Sequence, residues 1–332
     1  GYGDFLIDDR SLEAFKKGMS KIDDALTREF IYNTILKMVI EGRAPSHVFL
    51  DIIRTHISSE TNLNILQILS SSLPSILKNY VPEDHYKTEA DKTFDFLLNS
   101  YLPQAEGDEV IQNAISAIIH VAYNDTQKSI LRDWLENKKP FTLKDGERQD
   151  IDAVITVSNK HTILKKIATS VELSGQGFKE FVESQLSEDT KNVDLVNRCR
   201  LSIEAAAYDK DVKNRFMDEL LAAKCERSIW DQRAIAATLM PTCQSEIVLP
   251  LVDRFFNEIE VVFKNRLRDE RDAIYFALDP TQFASEELLQ KYKDLVEKLD
   301  PEEQKSLIAK LNESIESLTK MLAAKKLYAE TI

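Results

Sequence analysis

Five histidines, His47, His56, His85, His120 and His161, are the first residues to weigh, because imidazole can bind metal and move protons near neutral pH. No two of them stand three or four residues apart, and none lies in an HExxH pattern. One helical turn therefore cannot offer a pair of them to a zinc ion. His120, in Ala117-Ile118-Ile119-His120-Val121, reads as a packed or partly buried side chain. His85, in Glu83-Asp84-His85-Tyr86, reads as a solvated first-turn residue. The cysteines Cys199, Cys225 and Cys243 form no CxxC and have no adjacent histidine. They read as small core residues in a reducing compartment, which points to the cytoplasm. Gly175-Gln176-Gly177 lacks a third glycine and a βαβ context, so it reads as a helix–helix turn and not a dinucleotide site. The acidic pairs Asp8-Asp9, Asp23-Asp24 and Glu302-Glu303 fall at helix starts, where the helix dipole favours them. No catalytic residue, metal ligand or cofactor is expected in this chain.

The basic residues carry more. Arg198 and Arg200 flank Cys199, and Arg227 and Arg233 bracket Trp230. Arg254 lies in Leu249-Pro250-Leu251-Val252-Asp253-Arg254-Phe255-Phe256, where an unpaired guanidinium is costly. Two readings stay open. Arg254 forms a salt bridge or snorkels to water; or its planar fork faces a cavity and binds a carboxylate. On a helix over 243–264, Val252, Phe255, Phe256 and Ile259 make a wide packing face with Arg254 at its edge.

The elements that must position these groups are helices. Gly is 8 of 332 residues, against an average usage of about 7%. Such a chain has few positive-φ positions for tight hairpins or phosphate-cradling loops. Hydrophobic residues are 43%, a globular balance. The net charge is −13, the wrong sign for a general nucleic-acid binder. No apolar run is long enough to cross a membrane. The start has no signal-peptide pattern and no initiator Met, which suggests a piece of a longer protein. Tyr2, Phe5 and Ile7 make the first seven residues the one good strand candidate. Ser11 is placed to cap a helix carrying Leu12, Phe15 and Met19. From Asp23 to Glu41, Leu26, Phe30, Ile31, Ile35, Met38 and Val39 cover more than one face, so this helix should be buried on two sides.

Beyond it, helical segments are expected at about 46–57, 61–79, 83–101, 108–123, 125–137, 147–158, 160–171, 177–186, 190–207, 209–223, 228–239, 243–264, 267–278, 285–299 and 301–328. Pro74 and Pro250 should kink or split their helices. Asp300-Pro301-Glu302-Glu303 opens the last one, with Ile308, Leu311, Ile315, Leu318 and Leu322 as a heptad seam. That seam should pack on Leu288, Tyr292, Leu295 and Leu299; a partner-binding coiled coil is the alternative. The fold class is all-α: an irregular superhelix of antiparallel, HEAT- or armadillo-like helix pairs, with room for one short N-terminal strand. Residues 1–10 should be an extended lead-in and 11–332 one helical domain.

Three stretches carry a family resemblance. Gly1-Tyr2-Gly3-Asp4-Phe5-Leu6-Ile7-Asp8-Asp9-Arg10-Ser11-Leu12 is the first. Leu26-Thr27-Arg28-Glu29-Phe30 through Met38-Val39-Ile40-Glu41-Gly42 is the second, and Gln244-Ser245-Glu246 through Pro250-Leu251-Val252-Asp253-Arg254-Phe255-Phe256 the third. Together they resemble the C-terminal helical domain of the aminopeptidase N family of zinc metallopeptidases, most closely its actinobacterial-type branch. Leu251 and Phe255 stand where that family has tyrosines.

The resemblance implies a domain without a catalytic centre. It would cap the active site of an upstream domain of the same chain and shape or bind the peptide substrate. The family's HExxH, third zinc-ligand Glu and GAMEN-type motif belong to that upstream domain, so zinc is expected there. On this reading Arg254 would point into the helical bowl to meet a peptide carboxylate, with Gln244 as a hydrogen-bonding neighbour. No nucleic acid or membrane partner is expected. The alternative is a HEAT-like interaction scaffold unrelated to proteolysis.

Overall fold

The computed structural model describes residues 5–136, 141–142, 148–149, 154–187 and 192–332, with the backbone alone for 141–142 and 148–149. Sixteen α-helices occur among them. The described residues of 1–122, 137–156 and 319–332 form one compact unit, and those of 123–136 and 157–318 form a second. Unit 1 holds α1 (Asp9–Gly18), α2 (Ala25–Ile40), α3 (Ser46–His56), α4 (Leu63–Tyr80), α5 (Glu83–Phe96) and α6 (Asp108–Val121). Unit 2 holds α7 (Asp125–Glu136), α8 (Val157–Ala168), α9 (Phe178–Leu186), α10 (Val193–Ala206) and α11 (Lys210–Leu221). It continues with α12 (Ile229–Leu239), α13 (Ser245–Asn265), α14 (Arg268–Leu278) and α15 (Glu286–Lys298). The last helix, α16 (Lys305–Thr331), gives its first half to unit 2 and its second to unit 1.

Short polar side chains fix the helix starts. Asp24 accepts from Thr27 N at 2.8 Å, Asn62 from Ile65 N at 3.2 Å, and Ser285 from Leu288 N at 3.1 Å. At α1 the cap is Asp8 and not Ser11, whose hydroxyl instead donates to Asp8 Oδ2 at 2.7 Å. A carboxylate one turn earlier is the better acceptor for the free N–H groups. Pro74 and Pro250 lie inside α4 and α13 without splitting them. Leu73, Ile76 and Leu77 around one, and Val248, Leu251 and Val252 around the other, are buried, which offsets the roughly 3 kcal/mol cost of the proline.

Other expectations also need correction. Residues 5–8 form no strand; Gly1 to Asp4, like Pro140 and Gly146, lie outside the described residues. The helix expected over 147–158 does not hold at Arg148–Gln149, which pairs antiparallel with Phe141–Thr142; residues 147 and 150–153 lie outside the described residues, Val154 is helical, and the helix Val157–Ala168 follows. In the sequence, Asp-Gly at 145–146 between these stretches is a hairpin signal, which their antiparallel pairing fits. His120 is exposed on α6, with its Nδ1 against Ser116 O at 2.8 Å, because Ile118, Ile119 and Val121 take the buried face.

The seam of α16 is also shifted. The helix starts at Lys305, after Asp300 has capped Glu302 N at 2.8 Å. Its buried line is Leu307, Leu311, Ser314, Leu318, Met321, Ala324 and Tyr328, so only Leu311 and Leu318 of the expected seam lie on it. Leu288, Tyr292 and Leu299 are buried as expected.

Helix α2 buries Ile31, Tyr32, Ile35, Met38 and Val39 but leaves Leu26 and Phe30 exposed. One of its two apolar faces is thus uncovered at the N-terminal end. Its other end stops at Gly42, with φ at +66°. A Cβ there would come within 2.8 Å of Ala323 Cβ and 2.9 Å of Lys320 O, so both the conformation and the close approach of α16 call for glycine.

Candidate functional site

Gln244 and Arg254 both stand on or beside α13. Ten residues of helix separate them along the axis by about 15 Å. Gln244 is buried, and its Nε2 donates to Thr169 O at 3.0 Å and Ala206 O at 2.9 Å. Those carbonyls lie at the ends of α8 and α10. Its Oε1 has no hydrogen-bond partner among the described residues. The side chain ties helix ends together and does not line a surface.

Arg254 is three-quarters buried and matched. Its Nε and Nη2 grip Glu258 at 2.8 and 2.9 Å, Nη2 meets Asp218 Oδ1 at 2.7 Å, and Nη1 points to Asn214 O at 3.4 Å. The hydrogen bonds it donates to Glu258 hold its guanidinium above its ordinary pKa, with Asp218 adding to the effect. A guanidinium held between two carboxylates has little surplus attraction for a third. Val252, Phe255 and Ile259 are buried beside it, and Phe256 sets its ring edge on Tyr292 at 4.8 Å. The other singled-out arginines are also engaged. Arg200 forks onto Glu183 at 2.7 and 2.9 Å, Arg227 meets Glu219 at 2.5 Å, Arg198 Nε donates to Asp194 O at 3.2 Å, and Arg233 lies 5.1 Å over Trp230.

The polar residues that organise unit 2 are ones the sequence did not single out. Lys213 is fully buried and donates to Ala205 O at 3.0 Å and Leu239 O at 2.8 Å, the last turns of α10 and α12. Burial pushes its ammonium down to about 8. Arg266 reaches Ala222 O at 2.6 Å, Glu219 O at 3.2 Å and Gln232 Oε1 at 2.8 Å, closing the end of α11. Gln282 does the same for Met240 O at 2.7 Å. In each case donors meet carbonyls that a helix end leaves open, and the two cations also face the negative end of a dipole. A signal existed: Lys213 interrupts the apolar stripe of Phe216, Met217 and Leu220.

Behind these ties, Asp279 accepts from Tyr292 Oη and from Ser314 Oγ at 2.7 Å, and Tyr275 Oη lies 2.8 Å from Ser314 Oγ. Burial raises the Asp279 carboxyl despite those hydrogen bonds. This network explains why a serine occupies the buried line of α16.

Unit 1 uses ion pairs. Arg28 forks onto Glu60 with both contacts at 2.8 Å, and the two side chains are nearly buried. Burial pushes Glu60 up, but Arg28 and the N–H groups of Asn62 and Thr61 hold it below its ordinary value. Arg54 meets Glu89 at 2.8 Å and Asp51 at 2.7 Å, and Lys92 meets Glu89 at 3.0 Å. Burial raises Glu89 too, and again the cations win. Beside this cluster the Tyr328 ring lies 5.2 Å from both His47, edge-on, and His85, tilted, and His85 is half-buried and not a solvated residue. Burial lowers the His47 pKa, and its Nδ1 has no hydrogen-bond partner among the described residues.

Among the described residues no three His, Cys, Asp or Glu side chains are grouped to hold a metal ion. No single helix among them is long and apolar enough to cross a membrane. The cysteines form no disulfide with one another, and Cys199 is buried and Cys243 exposed. What this arrangement can do is hold stacked helices in place, since its charged groups are paired with one another or with backbone. No curated protein matches the chain. A family model does: the one described as the ERAP1-like C-terminal domain matches residues 1–319.

Proposed function

The chain belongs to the ERAP1-like C-terminal domain family, the C-terminal domain of M1 aminopeptidases, and on that premise we propose that it is the cap of such an enzyme. The extent of the match carries the reading, because residues 1–319 of 332 are accounted for by this one domain type. The catalytic domain precedes it in the same chain. There, a zinc ion would activate water for attack on the first peptide bond. The packed helices of the cap would limit the length of peptide admitted and orient it toward that domain. With Arg254 matched by Glu258 and Asp218, the cap acts through shape more than through one charged contact. Sparse cysteines without a disulfide fit a reducing cytoplasm. Membership in an aminopeptidase domain family counts against a scaffold unrelated to proteolysis.

The test compares the full-length enzyme with a version ending before residue 1. The quantity measured is kcat/KM for peptides of increasing length, with a single-residue chromogenic substrate as the folding control. A cap gives a length dependence that the shortened enzyme loses while it still turns over the control. The same length profile in both would refute the reading.

A further inference from the structure

Helix α2 has two apolar faces, and the described residues cover one. On the open side Leu26 is 75% exposed and Phe30 52%, one helical turn apart. Phe5, 58% exposed, sets its ring edge against Phe30 with centroids 5.4 Å apart at 73°, and Leu6 beside it is 62% exposed. This is an ordered patch and not a loose tail. The Ile7 N–H reaches Met38 Sδ at 3.3 Å, and Asp8 caps α1 directly afterwards. Two leucines and two phenylalanines held side by side in water mark a surface that is covered in the whole protein.

We propose that this patch is the seat of the domain that precedes residue 1 in the aminopeptidase chain. The inference rests on the reading above that such a domain precedes. Chain continuity selects the occupant. Five residues span at most about 18 Å, so whatever precedes residue 1 is tethered within that distance of Phe5. A tether that short raises the effective concentration to the millimolar range, an advantage a second copy of the chain does not have. Exposed residues of both signs flank the patch in sequence, Asp8, Asp9, Asp23 and Asp24 with Arg10 and Lys21, so the matching surface should be apolar at its centre with a polar margin. Phe276, 88% exposed, belongs to unit 2 and provides the control.

The experiment uses the full-length enzyme with Leu26→Asp, Phe30→Asp and Phe276→Asp. Amide hydrogen exchange is read at residues 5–8 and 25–31, and limited proteolysis at the junction before residue 5. The seat predicts at least tenfold faster exchange and cleavage for Leu26→Asp and Phe30→Asp, and no change for Phe276→Asp. Leu26 is the more exposed of the two, so its substitution keeps the test informative if Phe30→Asp fails to fold. Unchanged exchange and cleavage in Leu26→Asp would overturn the proposal. So would a shift from dimer to monomer in sedimentation with an intact junction, which assigns the patch to a second copy. Peptide-length dependence is a separate readout: a loosened junction with no length dependence in the parent enzyme supports the seat and refutes the cap.

Discussion

Unit 1 and unit 2 solve the same problem, how to hold helix against helix, with different chemistry. Unit 1 spends carboxylates: Glu60 on Arg28, Glu89 on Arg54 and Lys92, Glu41 on Lys320. Unit 2 has ion pairs too, at Arg254, Arg200 and Arg227, but these are more exposed, and its buried donors go to backbone: Lys213, Arg266, Gln244 and Gln282 meet open carbonyls at helix ends. A side-chain pair can be broken from either partner, and its carboxylate titrates. A carbonyl acceptor does neither. The two units should therefore respond differently to mutation and to pH.

The largest effect is expected in unit 1. Arg28→Met leaves Glu60 buried and unpaired, at a cost of about 3–5 kcal/mol, while Arg28→Met with Glu60→Leu recovers most of it. Urea unfolding measures both, and a single mutant with near-native stability would break the comparison. The same pairs set the response to acid. Glu60 and Glu89 have folded pKa values below 4.5, so their contribution is present above that value and is lost as pH falls through the lowered one. Asp279 in unit 2 is shifted the opposite way, so its protonation in acid stabilises the fold. Hydrogen exchange during acid titration should show the amides of α2, α3 and α5 opening before those of α10 and α12.

Lys213 gives unit 2 its own pH signature, toward alkali. Its folded pKa is about 8 and its unfolded one 10.5. Below about 8 both states are charged and the fold carries the full burial cost. Between the two values only the unfolded state keeps the proton, so stability rises with pH, by a total on the order of 3 kcal/mol. Wild type should gain on Lys213→Met across that window; a constant difference between them would remove Lys213 from the argument. Next in size, Arg266→Met strands the Ala222 and Glu219 carbonyls and Gln232 Oε1, and should cost about 2–3 kcal/mol in the same urea assay. The smallest effect belongs to Arg254→Ala. A matched, partly exposed pair contributes about 0–1 kcal/mol. In the full-length enzyme it should leave kcat/KM unchanged for peptides and single-residue substrates alike. A loss confined to peptides would restore its role as a carboxylate clamp.

The difference between the units also explains what the sequence could say. Helix positions were legible because Asp24, Asn62, Asp209 and Ser285 mark their starts, and each mark is local. The partner of Arg254 was half legible: Glu258 stands at i+4, whereas Asp218 comes from another helix. The ties of unit 2 were not legible, because their acceptor is a group every residue carries. Which carbonyl Lys213 or Gln244 reaches is decided only by how the helices stack. The seam of α16 slipped for a related reason. An apolar pattern favours Ile315, but Tyr275 and Asp279 draw Ser314 inward.

Gly42 and its neighbour Glu41 have a consequence for how the protein is made. Glu41 meets Lys320 at 3.1 Å across 279 residues of sequence, and the notch at Gly42 is filled by Ala323. A ribosome adding about 5–20 residues per second needs roughly 15 to 55 seconds to cross that interval. For that time the end of α2 waits, already synthesised, for a helix that does not yet exist. The end of α2 is thus completed only once the last helix has been made, and a premature stop before Lys320 would be felt at residue 42.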